Sequence, residues 1–190
     1  MPMVVLVGYA TAHGSTQGTA KHIRDRLQER GVAADVRPMS EVEDLGHYDA
    51  AVLGSAIHGG KWLPPARQFV DRNMAGLRER PVWLFSVSTL GDEESMFPPK
   101  VARRLRALRK ETPELAGFRT AIAPREHRNF AGSIARSYWP ASGRVFFRAM
   151  GGHYGDFRNW AAIERWADCI AAELLLAAAA QDLSRRHPLE

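Results

Sequence analysis

Six consecutive residues near the N-terminus carry groups suited to binding a phosphate. They are Thr11, Ala12, His13, Gly14, Ser15 and Thr16, and they lie between an apolar run at residues 3–9 and a stretch with helical spacing. A turn at a helix N-terminus presents unpaired backbone N–H groups and the positive end of the helix dipole. The hydroxyls of Thr11, Ser15 and Thr16 add further donors, so the segment predicts a phosphate site that needs no cation. An ordinary strand-to-helix turn with a Ser or Thr N-cap is the alternative.

A second candidate segment follows the apolar run at residues 50–54. Glycine allows a backbone to pass close to a planar ring and to change its peptide orientation when a ring nitrogen gains a proton. Trp62 is suited to stacking on such a ring, or equally to anchoring the next helix in the core. The candidate contacts to a ring are Ala56, Ile57, His58, Gly59, Gly60 and Trp62.

A third candidate segment follows the strand-like residues 81–88 and offers hydroxyls, backbone amides and a glycine. Its alternative interpretation is a simple turn that leads into the next helix. The coincidence of three such loops favours a ligand over three unrelated turns. The third set of candidate contacts is Ser88, Thr89, Leu90, Gly91 and Asp92.

Strands and helices alternate along the chain, and this order determines where the three loops lie. Short connections between such elements imply parallel strands joined by right-handed crossovers. We therefore expect an α/β fold with a doubly wound, five-stranded parallel sheet in the order 2-1-3-4-5 and helices on both faces. Ligands of such sheets bind at the carboxyl ends of the strands, where the loops after strands one, three and four converge. The expected strands are residues 3–9, 32–38, 50–54, 81–88 and 128–134, and the expected helices are 15–30, 63–74, 98–110 and a last one capped by Asn159; residues 112–127 receive no assignment.

The composition is that of one compact domain, expected at residues 1–188, with 190 residues of which 45% are hydrophobic and 25% charged. The single cysteine, Cys169, rules out an internal disulfide and a cysteine-rich metal site, so electron chemistry requires a cofactor. The N-terminal apolar run lacks a preceding basic region, which favours a cytoplasmic location over secretion. Leu189 and Glu190 resemble a cloning remnant and are left out of the prediction.

The chain resembles the flavodoxin superfamily, and within it the menaquinone-dependent protoporphyrinogen oxidase branch. The resemblance rests on the loop at 11–16 and on four further stretches, and it covers nearly the whole chain. It implies FMN as the cofactor, with its phosphate in the first loop. Two departures are His13, where many flavodoxins have Thr, and a less basic and less aromatic segment at 58–62. The further stretches are 54–60 followed by Phe69 and Val70, then 85–88, then 130–134, and last 147–152 followed by 155–160 and the final helix.

The charge of the chain is opposite to that of the electron carriers it resembles, which are acidic. Lys and Arg number 26 against 21 Asp and Glu, giving a net charge of +5 and a pI near 9.8. A positive field favours an anionic reduced flavin and attracts carboxylate-bearing substrates or anionic lipid headgroups. No recognition motif supports binding to nucleic acid. The charge therefore favours an enzyme over a carrier.

The leading hypothesis is an FMN-dependent oxidoreductase that passes electrons from a reduced organic substrate, such as protoporphyrinogen, to a quinone-like acceptor. No side chain is assigned as a catalytic acid or base. The alternatives are a single-electron carrier that docks on protein redox partners and a flavin-binding protein with a regulatory role. The segment 137–150 has the composition of a flap facing a quinone or a membrane surface, although plain core packing also suits it. Its apolar members are Trp139, Phe146, Phe147 and Met150.

Overall fold

A computed structural model describes residues 3–138 and 141–186 of the chain. Five long parallel strands form the sheet, in the spatial order β2-β1-β3-β5-β6, and a two-residue strand, β4, pairs antiparallel with the end of β3. When only the five long strands are numbered along the chain, this order is 2-1-3-4-5, which confirms the order predicted from the sequence. The strands are β1 (Val4–Ala10), β2 (Ala33–Pro38), β3 (Ala50–His58), β4 (Lys61–Trp62), β5 (Val82–Ser88) and β6 (Glu126–Ala131).

Helices cover both faces of the sheet, and each face has its own apolar core. Strand residues such as Val7 and Phe85 pack against the first and last helices, whereas Leu53 and Leu84 face the opposite layer. An apolar run with both faces buried is the pattern expected of central parallel strands. The helices are α1 (Ser15–Glu29), α2 (Pro64–Arg72), α3 (Met74–Arg78), α4 (Pro99–Leu108), α5 (Pro113–Ile122), α6 (Ala141–Ala149) and α7 (Trp160–Arg186).

Local signals set several helix ends. Gly31 follows α1 with a positive φ of 81°, a conformation that glycine adopts at little cost. The Asn159 side chain accepts a hydrogen bond from the backbone N–H of Ala162, at 3.0 Å, and so caps α7. Thr112 caps α5 in the same manner by accepting from Leu115, so a helix occupies most of the residues that sequence reasoning left without an assignment.

A small subdomain lies between β6 and α7. Two short strands pair antiparallel within it, β7 (Ser133–Ile134) and β8 (Gly155–Asp156), and a 3-10 turn at Arg136–Tyr138 precedes α6. The sequence predicts that the fifth strand runs to residue 134, and this is wrong: the strand ends at Ala131, and residues 133–134 form a separate strand after Gly132. A third apolar cluster centred on Phe147 fixes the subdomain to Met96 and Phe97, just before α4. No helix in the described ranges has both the length and the apolar character needed to cross a membrane.

Candidate functional site

A cavity of about 620 Å³ opens at the carboxyl ends of β1, β3 and β5. The three candidate loops converge there, as the switch point of the sheet requires. A volume of this size is typical of cofactor sites. The predicted residues that line it are Thr11, Ala12, His13, Ser15, Thr16, Ala56, Ile57, His58, Gly59, Gly60, Ser88 and Thr89.

In the first loop, two hydroxyl oxygens accept hydrogen bonds from the backbone, so their protons are available to a ligand. Thr11 Oγ1 accepts a hydrogen bond from the backbone N–H of Gly14 at 2.9 Å, and Ser15 Oγ accepts one from Ser133 at 2.9 Å. Each oxygen is thus used as an acceptor, which leaves its proton for a ligand. Gly14 does not line the cavity, but its φ of 86° turns the chain into α1, and no side chain in the described part of the chain caps that helix. The first N–H groups of α1 are therefore available to an anion.

Thr16 gives the most direct sign that this loop binds a ligand. Its side chain is fully buried, and its Oγ1 has no hydrogen-bond partner among the described residues. A buried hydroxyl without a partner is costly in a folded protein. Thr16 also lines the cavity beside Thr11 and Ser15, so an anion bound there would complete its hydrogen bonding.

The second loop is a β-hairpin rather than an irregular connection. β3 continues to His58, and the chain turns at Gly59 and Gly60, whose φ angles are 59° and 78°. Two successive positive φ angles are those of the tight turns that join hairpin strands, and glycine adopts them readily. A Cβ at either position would meet no atom of the described residues within 4 Å, so the backbone conformation, not crowding, favours glycine.

Trp62 does not reach the cavity. Its side chain is 2% exposed, packs edge-on against Phe118 and donates its indole N–H to Ser86 Oγ at 2.8 Å. β4 pairs with the end of β3, which turns Trp62 into the core. The proposed stacking of this ring on a cofactor is therefore wrong, and the alternative of a core anchor is correct.

The third loop contributes only its first two residues. Leu90 forms a bridge with Ser95, and the backbone N–H of Gly91 donates to Glu94, so the chain curls away from the cavity. The Asp92 carboxylate binds both the backbone and the side chain of Asn129. Leu90, Gly91 and Asp92 thus brace the loop against β6 and do not line the site.

A fourth wall comes from the subdomain after β6. The sequence indicated residues 137–150 as a flap but assigned none of them to the cofactor site. Tyr138 stacks on His13 with ring centroids 4.0 Å apart and planes 10° from parallel. The pair joins the first loop to the fourth wall across the cavity. The available sequence signal was Gly132, because a glycine inside a strand-like run indicates a close approach of the backbone to another group. In the structure, a Cβ on Gly132 would lie 2.8 Å from Ser15 Oγ. The lining residues beyond the predicted set are Val87, Met96, Gly132, Ser133, Ile134, Tyr138, Ser142 and Gly143.

The cavity is nearly free of charge. Among the described residues, its lining includes no Asp, Glu, Lys or Arg, and its two histidines are His13 and His58. Of the predicted flap residues, Phe147 is buried and Met150 half-buried. Trp139 and the side chain of Phe146 lie outside the described residues.

Residues 6–148 match the sequence model of the flavodoxin domain. The chain therefore belongs to the flavodoxin-domain family, and that membership implies FMN as the cofactor. The cavity fits this cofactor, because the unpartnered Thr16 hydroxyl and the uncapped start of α1 provide the donors that a phosphate needs.

Protoporphyrinogen IX dehydrogenase (quinone) from Escherichia coli strain K12 is a relative with 26% identity over 100 residues. The match covers 52% of this chain and 55% of that protein, so it spans about half of each. The same figures hold for the protein of that name from Escherichia coli O157:H7.

Solved structures show the same fold at low sequence identity. A rubredoxin oxygen:oxidoreductase from Desulfovibrio gigas aligns with a TM-score of 0.59 and 13% identity, covering 94% of this chain but 38% of that one. A flavodoxin from Streptococcus pneumoniae TIGR4 aligns with a TM-score of 0.55 and 13% identity, covering 90% of this chain and 99% of that one.

Proposed function

We propose that this protein is an FMN-dependent oxidoreductase that accepts electrons from a reduced organic substrate and delivers them to a quinone-like acceptor. The curated relatives, whose name includes both a porphyrinogen and a quinone, make a porphyrinogen the first substrate to test. FMN, when bound, supplies the electron chemistry. The protein residues supply binding, orientation and the electrostatic environment.

The first loop would hold the phosphate of FMN. Thr11, Ser15 and Thr16 would donate through their hydroxyls, together with the first N–H groups of α1. The Gly59–Gly60 turn would lie at the edge of the ring, where its exposed backbone can bond to a ring nitrogen. No side chain is proposed as an acid or base.

The observation that carries the proposal is the lack of acidic side chains among the described residues around the cavity. A carboxylate beside the ring would oppose the negative charge that a flavin gains on full reduction. The net charge of +5 acts in the same direction over a longer range. Both features favour two-electron chemistry over the single-electron exchange of a carrier, which is the alternative function.

A peripheral contact with a membrane surface would bring a quinone to the site. Val145 on α6 is 71% exposed, and Ser142 and Gly143 of the same helix line the cavity. One helix thus joins the cavity to an apolar point on the surface. Flotation with anionic vesicles tests the contact, and recovery of all the protein away from the vesicles would contradict it.

An anaerobic titration distinguishes the two functions. FMN-loaded protein is reduced stepwise with dithionite while the visible spectrum is recorded. An enzyme of the proposed kind should lose its absorbance in one two-electron step and be reoxidised by a menaquinone analogue. Two well-separated one-electron steps, with no reaction towards porphyrinogen or quinone, would favour the carrier.

A further inference from the structure

Three side chains hold the returning strand of the glycine hairpin. Ser55 Oγ accepts the backbone N–H of Leu63 at 2.9 Å, and Ser86 Oγ accepts the indole N–H of Trp62 at 2.8 Å. Ser55 and Ser86 are fully buried and stand opposite each other on β3 and β5. The Glu114 carboxylate accepts the backbone N–H of Trp62 at 2.8 Å. The position of the hairpin therefore depends on buried polar groups beneath it.

The Ser86 hydroxyl has a second partner, the imidazole of His127 on β6, with an Oγ–Nε2 distance of 2.8 Å. An indole N–H can only donate, so Ser86 must accept from Trp62. The Ser86 proton then needs an acceptor, and Nε2 of a neutral imidazole provides one. The chain of bonds from Trp62 through Ser86 to His127 is thus fully satisfied when Nε2 carries no proton.

Protonation of His127 reverses the last of these bonds. Ser86 Oγ would then accept twice, and its own proton would have no acceptor among the described residues. Since Ser86 is fully buried, water does not replace that acceptor. His127 itself is only partly buried, so its ring exchanges protons with solvent.

The surroundings of His127 favour its neutral form. Burial lowers the pKa of its imidazole, and this effect is the largest. The charged groups that face the ring from the loop after β5, from the end of α4 and from α5 act in opposite directions. The carboxylates of Asp92 and Glu111 raise this pKa, whereas the guanidinium groups of Arg109 and Arg119 lower it.

We infer that Ser86 and His127 are positioning residues of the cofactor site, which hold the Gly59–Gly60 turn through Trp62 as long as His127 is neutral. The inference rests on the proposed function, because that proposal places the turn beside the FMN ring. Mild acid should then weaken FMN binding through a histidine that does not line the cavity. His13 and His58 line the cavity itself, so the experiment compares variants in which both are unchanged.

The test compares FMN affinity at about pH 7.5 and about pH 5, because histidine ordinarily titrates near pH 6.5 and burial lowers the pKa of His127. The variant H127Q keeps an acceptor for Ser86 but cannot titrate, and H47Q removes an exposed histidine outside the cavity lining as the matched control. Wild type and H47Q should lose about two- to tenfold more affinity on acidification than H127Q, the range expected for one hydrogen bond. Equal losses in wild type and H127Q would overturn the inference.

A second readout uses the protein without FMN. The indole N–H resonance of Trp62, assigned with W62F, should shift with pH in wild type and stay fixed in H127Q. A resonance that is equally insensitive to pH in both proteins would overturn the relay. Failure to bind FMN at any pH would instead overturn the proposed function, while this readout would still report on the relay.

Discussion

At the scale of single residues, the site is defined by hydroxyls whose hydrogen bonding is left incomplete. Thr11 and Ser15 each accept from a backbone N–H and keep a proton for a ligand, and Thr16 has no partner among the described residues. Folded proteins rarely leave a buried hydroxyl in that state without a functional reason. The incomplete bonding of Thr16 is therefore what distinguishes a phosphate site from an ordinary turn.

Replacing Thr16 with valine should separate binding from stability. T16V removes the hydroxyl but keeps the shape, so the FMN-free protein should unfold at the same or a higher temperature. FMN affinity should fall about 10- to 100-fold, the value of one hydrogen bond to a charged group. Calorimetry on both forms measures the two effects. T19V is the matched control, because Thr19 is equally buried on α1 but already donates to the carbonyl of Ser15.

The stack of Tyr138 on His13 should slow the escape of FMN, because it joins two walls of the cavity. Aromatic pairs contribute about 0.5–1.5 kcal/mol, so Y138A should raise the dissociation rate of FMN about two- to tenfold. Y138F is the control and should behave as wild type, because the hydroxyl has no assigned hydrogen bond within the described part of the chain. Stopped-flow dilution measures the rate, and an unchanged rate in Y138A would contradict this role.

The residue types in the sequence predicted the chemistry of the site well, but they predicted the direction of individual side chains less well. The sequence indicated the first loop because its hydroxyls precede a helix. It left Trp62 undecided, since only the pairing of β4 with β3 determines that the indole points inward. The sequence indicated the segment that contains Tyr138 as a flap, but it missed the contact with His13, which lies 125 positions away and which no local pattern encodes.

At the scale of elements, β3 shows why some boundaries were misplaced. The apolar run ends at Gly54, so the sequence predicts that the strand stops there, yet it continues to His58. Ser55 is polar but fully buried, and its hydroxyl bonds to Ala56 and Leu63. Because β3 itself and the hairpin that follows it provide hydrogen-bond partners for the buried Ser55 hydroxyl, this polar residue does not end the strand. The helix α5 was missed although Thr112 and Pro113 form a recognisable helix start.

Two glycine substitutions should have opposite effects on the elements that carry them. A Cβ on Gly54 would lie 2.0–2.2 Å from three atoms of the buried Phe85 ring, so G54A should destabilise the fold by about 1–3 kcal/mol or more. Gly117 lies within α5, and a Cβ there would meet nothing within 4 Å in the ranges that the structure describes, so G117A should stabilise the fold by about 0.5–1 kcal/mol. Urea unfolding measures the change in unfolding free energy for both variants. Two changes of the same sign would contradict the packing around these glycines.

At the scale of the whole molecule, the order of strands and helices predicted the sheet correctly, because short right-handed crossovers leave few topologies. The subdomain after β6 was not predictable, since it is held by distant contacts such as the pairing of Ser133 with Asp156. The excess of basic residues was visible from composition. Its consequence for the site became clear only with the structure, where the described lining residues include no carboxylate to oppose a reduced flavin.

The central claim is that uncharged donors in the first loop bind the phosphate of FMN. Titration of the FMN-free protein with FMN and with riboflavin, which lacks the phosphate, tests it most directly. We predict that one FMN binds per chain and that the affinity for riboflavin is lower by a factor of at least about 100. This difference should be smaller in T16V. Equal affinity for the two flavins, or no binding of FMN, would contradict the claim.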